Sequence, residues 1–305
     1  MTGFGHLLRR CSFPSPGTPV TCAWSGGADS TALVVLAGAA GCVVSAVHVD
    51  HGIRPDRADD VAAVRAMAEQ LAVPVRVVEV AVDDGPDLEN RARQARHGVL
   101  PPDTLLGHTA DDQAETVLLH LLRGAGPDGL GAMAHDGRRP LLDLRRSETE
   151  QLCAELGLAT ADDPSNHDPR FRRNRVRSEV LPLLADVFER DPVPVLTRAA
   201  GQQREIGDLL DQLADRLDVT DTRALQHEHP ALVRHGLRQW LRRETGATYG
   251  ADSAAVDRVV AVVEHRSRAT DVGHGWRVSR HDGRLLVQQQ PGTAPQPHLD
   301  LASPP

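Results

Sequence analysis

Two short segments hold most of the residues able to do chemistry: Ser25-Gly26-Gly27-Ala28-Asp29-Ser30 and Gly107-His108-Thr109-Ala110-Asp111-Asp112-Gln113-Ala114-Glu115-Thr116. In the first, glycines at 26 and 27 let the backbone approach oxygens that a β-carbon would keep away. The N–H groups and the hydroxyls of Ser25 and Ser30 can then converge on a phosphate at a helix start. Asp29 is the odd member, because a carboxylate beside polyphosphate is repelled unless a divalent cation lies between them; a Mg²⁺ role follows. A plain turn with a capping serine would explain only one or two of these residues. In the second segment, a helix beginning near Ala110 puts Asp112 and Glu115 three apart on one face. Two carboxylates so placed can hold an ammonium, bind a metal or act as a base. Asp111 also fits a simple role as a helix-start charge favoured by the dipole.

Other segments are suggestive by grouping. His48-Val49-Asp50-His51-Gly52-Ile53-Arg54 closes an apolar, strand-like run. Either histidine alone reads as a core or surface residue, but together at a strand end they favour a ligand site. In Glu89-Asn90-Arg91-Ala92-Arg93, Arg91 shares a helix face with Ala95, and a lone helix arginine is ordinarily a solvated ion pair. Between Arg170 and Arg177 five arginines occur without an acid. That patch suits a phosphate backbone, with Phe171 able to stack on a base, although a solvated arginine-rich loop would look the same. Only three Trp, one Tyr and four Phe occur in the whole chain, so no extended stacking platform is expected.

The elements that must position these groups alternate. Thr18–Trp24, Val43–Val49, Val75–Val82 and Thr104–Gly107 read as strands; Ser30–Ala40, Asp59–Leu71, Leu88–Val99 and Asp111–Arg123 read as helices. This order predicts an α/β fold with a doubly wound parallel sheet, whose ligands sit at the carboxyl ends of the strands. Both chemical segments fall there. Beyond Gly126 the pattern loosens, with helices around Ser147–Leu156 and Asn174–Val187. From Pro192 apolar spacing predicts long helices, continuing through Leu232–Val263, and then a hairpin over Val272–Val287 turning at Asp282-Gly283. The expected organisation is a flexible N-terminus (1–17), a catalytic domain (18–190), a smaller, mainly helical accessory domain with a terminal hairpin (191–288) and a disordered tail (289–305).

Composition excludes several classes. The chain has 305 residues, 40% apolar and 25% charged, with no window near the ~20 apolar residues of a membrane span and no signal-peptide core. A soluble, cytoplasmic protein is expected. Four dispersed cysteines with no C-x-x-C pair argue against structural zinc, an iron–sulfur cluster or a disulfide framework, and Cys22 and Cys42 read as buried hydrophobes. The net charge of −8 confines any nucleic-acid surface to a local patch. All 34 basic residues are arginine, so the chain forms no lysine Schiff base and supplies no P-loop lysine.

Walker A is excluded, and the first loop instead resembles the S-G-G-x-D-S signature of the N-type ATP pyrophosphatases, or PP-loop enzymes, which cleave ATP between the α and β phosphates and adenylate an oxygen of their substrate. Within that group the second segment, together with Arg123-Gly124-Ala125-Gly126, Gly129-Leu130-Gly131-Ala132-Met133, Arg139-Pro140-Leu141-Leu142, Asp162-Asp163-Pro164-Ser165-Asn166 and Arg173-Asn174-Arg175-Val176-Arg177, resembles the tRNA(Ile)-lysidine synthetases, in order, over residues 22 to about 183. The thiolating relatives need paired cysteines, which are lacking here. The resemblance implies ATP and Mg²⁺ as cofactors, and tRNA(Ile) with a CAU anticodon and free L-lysine as partners. The oxygen on carbon 2 of the wobble cytidine would be adenylated, and the lysine ε-amine would then attack that carbon and displace AMP. It implies an ATP site of Ser25, Gly26, Gly27, Asp29, Ser30, His48, Arg54 and Gly107, with Asp29 holding the metal. It also implies catalytic roles for Asp29, Arg91, His108, Asp112 and Glu115, and tRNA contacts from Arg173, Asn174, Arg175 and Arg177. Trp24 departs from the small aliphatic residue usual before the loop. Whether the chain acts alone or as a homodimer is left open.

Overall fold

The computed structural model describes residues 3–50, 57–80, 98–161, 168–246 and 252–290. The chain divides into two compact units: Met1–Leu119 with Ala132–Arg198, and His120–Gly131 with Ala199–Pro305.

In the first unit, β1 (Pro19–Ala23), β2 (Val43–Asp50) and β3 (Val75–Glu79) form a parallel sheet in that order. Pro19 lies opposite Val43 and Ala23 opposite Val47; Ala46 lies opposite Val75 and Asp50 opposite Glu79. Helix α1 (Ala28–Ala39) joins β1 to β2, and α2 (Arg57–Leu71) joins β2 to β3. Parallel neighbours require such crossovers. Ser30 to Val34, Leu36 and Ala37 of α1 are buried, which is why this helix is apolar nearly all round. Val64, Met67 and Ala68 of α2 join the same core, with Cys22, Trp24, Leu33 and Leu36.

The expected strand at Thr104–Gly107 is reduced to one parallel bridge, Cys22 to Leu105. Leu105 N–H donates to Thr21 O and Ala23 N–H to Leu105 O, but the next amide, Leu106, turns away to Arg138 O. The ladder stops there. Helix α3 (Ala110–Leu122) follows, then α4 (Arg146–Glu155). A helical run then starts at Arg172–Arg175, widens into a π-type stretch at Val176–Val180 and resumes as α5 (Leu181–Phe188). Pro182 accounts for the widening, since it has no N–H to return to Ser178 O. Ala110, Ala114 and Leu118 of α3 pack with Val176, Leu181 and Val193. Residues Gly5–Leu8, in the stretch expected to be flexible, form a helical turn whose Leu7 is buried in the core.

The second unit contains most of α6 (Val193–Ala214), then α7 (Pro230–Thr245) and α8 (Ser253–Val263), and an antiparallel meander of β4 (Ala269–Gly273), β5 (Trp276–His281) and β6 (Arg284–Gln289). The continuous helix expected over Leu232–Val263 is two helices. Gly246 ends the first with φ +65°, and the Asp252 side chain caps the second by accepting from Ala255 N–H. The hairpin turn is at Asp282-Gly283, with both φ values positive as a two-residue turn needs, and β4 adds a third strand. Leu237, Trp240, Leu241, Val256, Val259, Val278 and Leu285 form this unit's core.

Candidate active site

The loop after β1 is organised by one hydroxyl. Ser30 Oγ donates to Gly27 O at 2.9 Å and lies 3.1 Å from Ser25 Oγ, while Ser25 N–H reaches it at 3.2 Å. Gly26 has φ +93°, a conformation that side chains rarely adopt, and a β-carbon there would stand 3.1 Å from Val64 Cγ2. The first-turn N–H groups of α1 face the space above the strand end, where an anion is favoured. Trp24 is not an adenine platform: its ring is buried, with Nε1 donating to Thr31 Oγ1 at 2.9 Å. His48 is also buried, and its Nδ1 lies 2.8 Å from Trp24 O, so the ring braces the strand end beside the loop. Gly107 passes so close to α1 that a β-carbon would meet Asp29 O at 2.8 Å. That contact brings the two chemical segments together.

At the start of α3, Asp112 Oδ2 accepts from Thr109 N–H at 2.8 Å and from its hydroxyl at 3.1 Å, which locks the carboxylate over the first turn. Glu115 lies one turn on and is 1% exposed. A buried carboxylate needs compensating donors. Two arginines supply them, neither foreseen in this role. Arg146, the first residue of α4, sends Nε to Asp29 Oδ2 (3.2 Å), Nη2 to Asp112 Oδ1 (2.9 Å) and Nη1 to Glu115 Oε1 (3.1 Å). Arg173 sends Nε to Glu115 Oε2 (2.7 Å) and Nη2 to Asp112 Oδ1 (3.2 Å). Thr149 Oγ1 donates to Asp29 Oδ1. Asp111, on the other side of the turn, is bound by Arg145 and by Arg146 N–H.

The electrostatics follow from this packing. Burial pushes the Asp29 carboxyl up to about 6, against the opposing pull of Arg146 and of Thr149. Burial acts the same way on Asp112, but Arg173 and Arg146 outweigh it and hold the carboxyl below its usual range. Burial disfavours the charge on Arg146, and Asp112, Glu115 and Asp29 more than restore it. Three carboxylates meeting at one cation form the all-oxygen donor set that suits Mg²⁺ or an ammonium.

The five-arginine run is less free than its sequence suggested. Arg170 pairs with Asp168, Arg175 with Glu179, and Arg173 turns inward to α3, so acids flanking or distant from the run neutralise three of the five. Asn174 Nδ2 donates to Asp168 O. Arg177 lines a groove of about 310 Å³ with Asp111, Arg145, Arg146, Glu150 and Asp191. Arg54, Arg91 and the 162–166 motif lie outside the described residues. The Arg145-Arg146 pair carries one available signal, its place at the start of a helix whose Glu148 accepts from Arg145 N–H as a capping partner.

Comparison with known proteins places the chain in a family. Residues 6–184 match a family model described as a PP-loop domain. The chain is 39% identical over 301 residues to the tRNA(Ile)-lysidine synthase of Nocardia farcinica, covering 91% of this chain and 94% of the relative. To that of Rhodococcus jostii it is 42% identical over 306 residues, covering 92% and 94%. Among solved structures it resembles the U34-tRNA thiolase of Methanococcus maripaludis, with a TM-score of 0.54 at 17% identity over 66% of this chain and 78% of that one, a likeness of fold. The ordered motifs, the parallel sheet and 39% and 42% identity over 91% and 92% of the chain agree: the chain belongs to the tRNA(Ile)-lysidine synthase family of PP-loop proteins.

Proposed function

We propose that this protein ligates free L-lysine to carbon 2 of the wobble cytidine of tRNA(Ile) bearing a CAU anticodon, through an adenylated cytidine, with ATP converted to AMP and pyrophosphate. One observation carries the reading: Asp29 of the ATP-side loop and the Asp112–Glu115 pair of α3 share a single guanidinium. Nucleotide and nucleophile would therefore meet within a few bond lengths, as a two-step transfer demands.

In this reading Ser25, Gly26, Gly27 and Ser30 cradle the phosphates, Gly107 and His48 shape the neighbouring strand ends, and Arg54 and Arg91 add positive charge. Mg²⁺ held by Asp29 would neutralise the polyphosphate and polarise the bond that breaks. The cytidine oxygen at carbon 2 attacks the α-phosphorus, and pyrophosphate leaves. His108, Asp112 and Glu115 hold the lysine ammonium and accept its proton, since only the neutral amine attacks. The amine then adds at carbon 2 and AMP departs with the oxygen. Asn174, Arg175 and Arg177 would face the tRNA, whose target base must leave its stack to reach the site, while Arg173 balances the acids of α3. No helix among the described residues is long and apolar enough to cross a membrane, and a cytoplasmic location suits the substrate.

Incubation of the protein with labelled lysine, ATP, Mg²⁺ and total tRNA tests this directly. Label in tRNA that depends on ATP supports it; tRNA without label rejects it.

A further inference from the structure

Arg146 stands where the substrates' own cations are expected. Its three nitrogens each engage a different carboxylate, and those carboxylates come from two elements: Asp29 from the ATP-side loop and first turn of α1, Asp112 and Glu115 from α3. Glu115 is already satisfied on its other oxygen by Arg173, and Arg146 joins the nucleotide side to the acceptor side through its side chain. It is also the first residue of α4, where a side chain can pivot about the helix start without disturbing the helical turns behind it.

The charges say what would move it. Three carboxylates face two guanidinium groups, one more acid than guanidinium, with His108 also acting on Asp112. A phosphate chain seated in the Ser25–Ser30 loop brings anionic oxygens next to Asp29, and a cation bound there takes over that carboxylate. Arg146 then loses one partner and gains a stronger attraction on the phosphate side. Drawn that way, it uncovers Glu115 Oε1 and leaves Asp112 Oδ1 to Arg173 alone, so that Arg173 balances one of the two charges. A single ammonium fits what remains.

We propose that Arg146 is a positioning residue that couples the two halves of the site. Without nucleotide it occupies the ammonium position between Asp112 and Glu115; nucleotide binding draws it away, so lysine binds well only after ATP. This inference rests on the assignment of Asp29 to the nucleotide and of Asp112 and Glu115 to lysine. The arrangement would keep the nucleophile out until there is something to activate, and it predicts a linkage that a purely structural salt bridge lacks.

The test is equilibrium binding of labelled lysine to the full chain, with and without Mg²⁺ and a non-hydrolysable ATP analogue, for the parent, Arg146→Gln and Arg146→Lys. In the parent, the analogue should tighten lysine binding roughly tenfold. In Arg146→Gln, lysine should bind equally well with or without it, and better than the nucleotide-free parent. Arg146→Lys should restore part of the dependence, and it covers the case in which the glutamine variant fails to fold. An unchanged ratio in both variants, or no ratio in the parent, overturns the coupling. A second arm titrates Mg²⁺ alone by calorimetry, where the variants should bind it more tightly than the parent; equal binding overturns the placeholder role. If no protein binds lysine under any condition while the Mg²⁺ arm behaves as expected, the functional reading fails and the placeholder role stands.

Discussion

Glu115 and Arg173 meet at 2.7 Å in a site where the carboxylate side chain is 2% exposed, and they are 58 residues apart in the chain. A pair whose acid is buried this deeply is costly to break, because losing Glu115 leaves Arg173 and Arg146 to share Asp112. Glu115→Ala should therefore lose lysine incorporation and also about 3–5 kcal/mol of stability. The double variant Glu115→Met with Arg173→Met should recover much of the stability and none of the activity. Urea unfolding beside a lysine-incorporation assay separates the two effects; full activity in Glu115→Ala would end its catalytic assignment.

Gly107 gives a sharper spatial test. Its α-carbon sits against the backbone of Asp29 and Ser30, and nothing flexible stands in the way of an added methyl. Gly107→Ala should displace Asp29 and lower the ligation rate about 100-fold, with a stability loss of about 1–3 kcal/mol. A variant with parental rates would show that the close approach is incidental.

Asp111 should show its charge through pH. Burial alone would raise its carboxyl, but the Arg145 side chain and the Arg146 N–H outweigh it, and the group sits below its usual range. A depressed carboxyl adds stability that is complete above the unfolded value of ~3.9 and is lost as pH falls through the lower folded value. Asp111→Asn should be less stable than the parent by about 1–2 kcal/mol at neutral pH. The gap should close as the pH drops below about 4. Melts across that range check it, and a gap independent of pH would point to packing instead.

For the arginine run, the pairing pattern predicts unequal roles. Arg175 is held by Glu179 on the surface, whereas Arg177 faces a groove. Arg177→Ala should reduce the slope of log affinity for tRNA against log salt by about one unit. Arg175→Ala should change it less, since its charge is already partly matched. Equal slopes would assign the contact elsewhere.

Much of the site was legible in local sequence because its signals are local. A glycine loop between strand and helix, and carboxylates three apart at a helix start, have geometry that follows from neighbouring residues. Asp29, Asp112 and Glu115 are readable that way, and the structure brings all three onto Arg146. Arg146 was not, because its meaning lies in partners 117, 34 and 31 positions away, and nothing in Arg145-Arg146-Ser147 points to them. Arg173 was read outward for the same reason: its neighbours are arginines, while its acids are on α3. In the fold, alternation identified β1, β2, β3 and their crossovers. The bridge at Leu105 was overestimated because apolar composition says nothing about Leu106 turning to Arg138. The break between α7 and α8 was missed because apolar spacing continues across it, although Gly246 and Asp252 mark its ends.

The reach of the Arg146 and Arg173 contacts also sets an order of assembly. Asp29 and the sheet strands leave the ribosome early, and α3 follows with its acids; the two balancing guanidinium groups arrive last, at residues 146 and 173. Until then the nascent chain carries a cluster of like charges at the position that later becomes the middle of the site, and that repulsion opposes closure of α3 onto its neighbours. The charge balance of this cluster is therefore complete only once the chain has been made as far as residue 173.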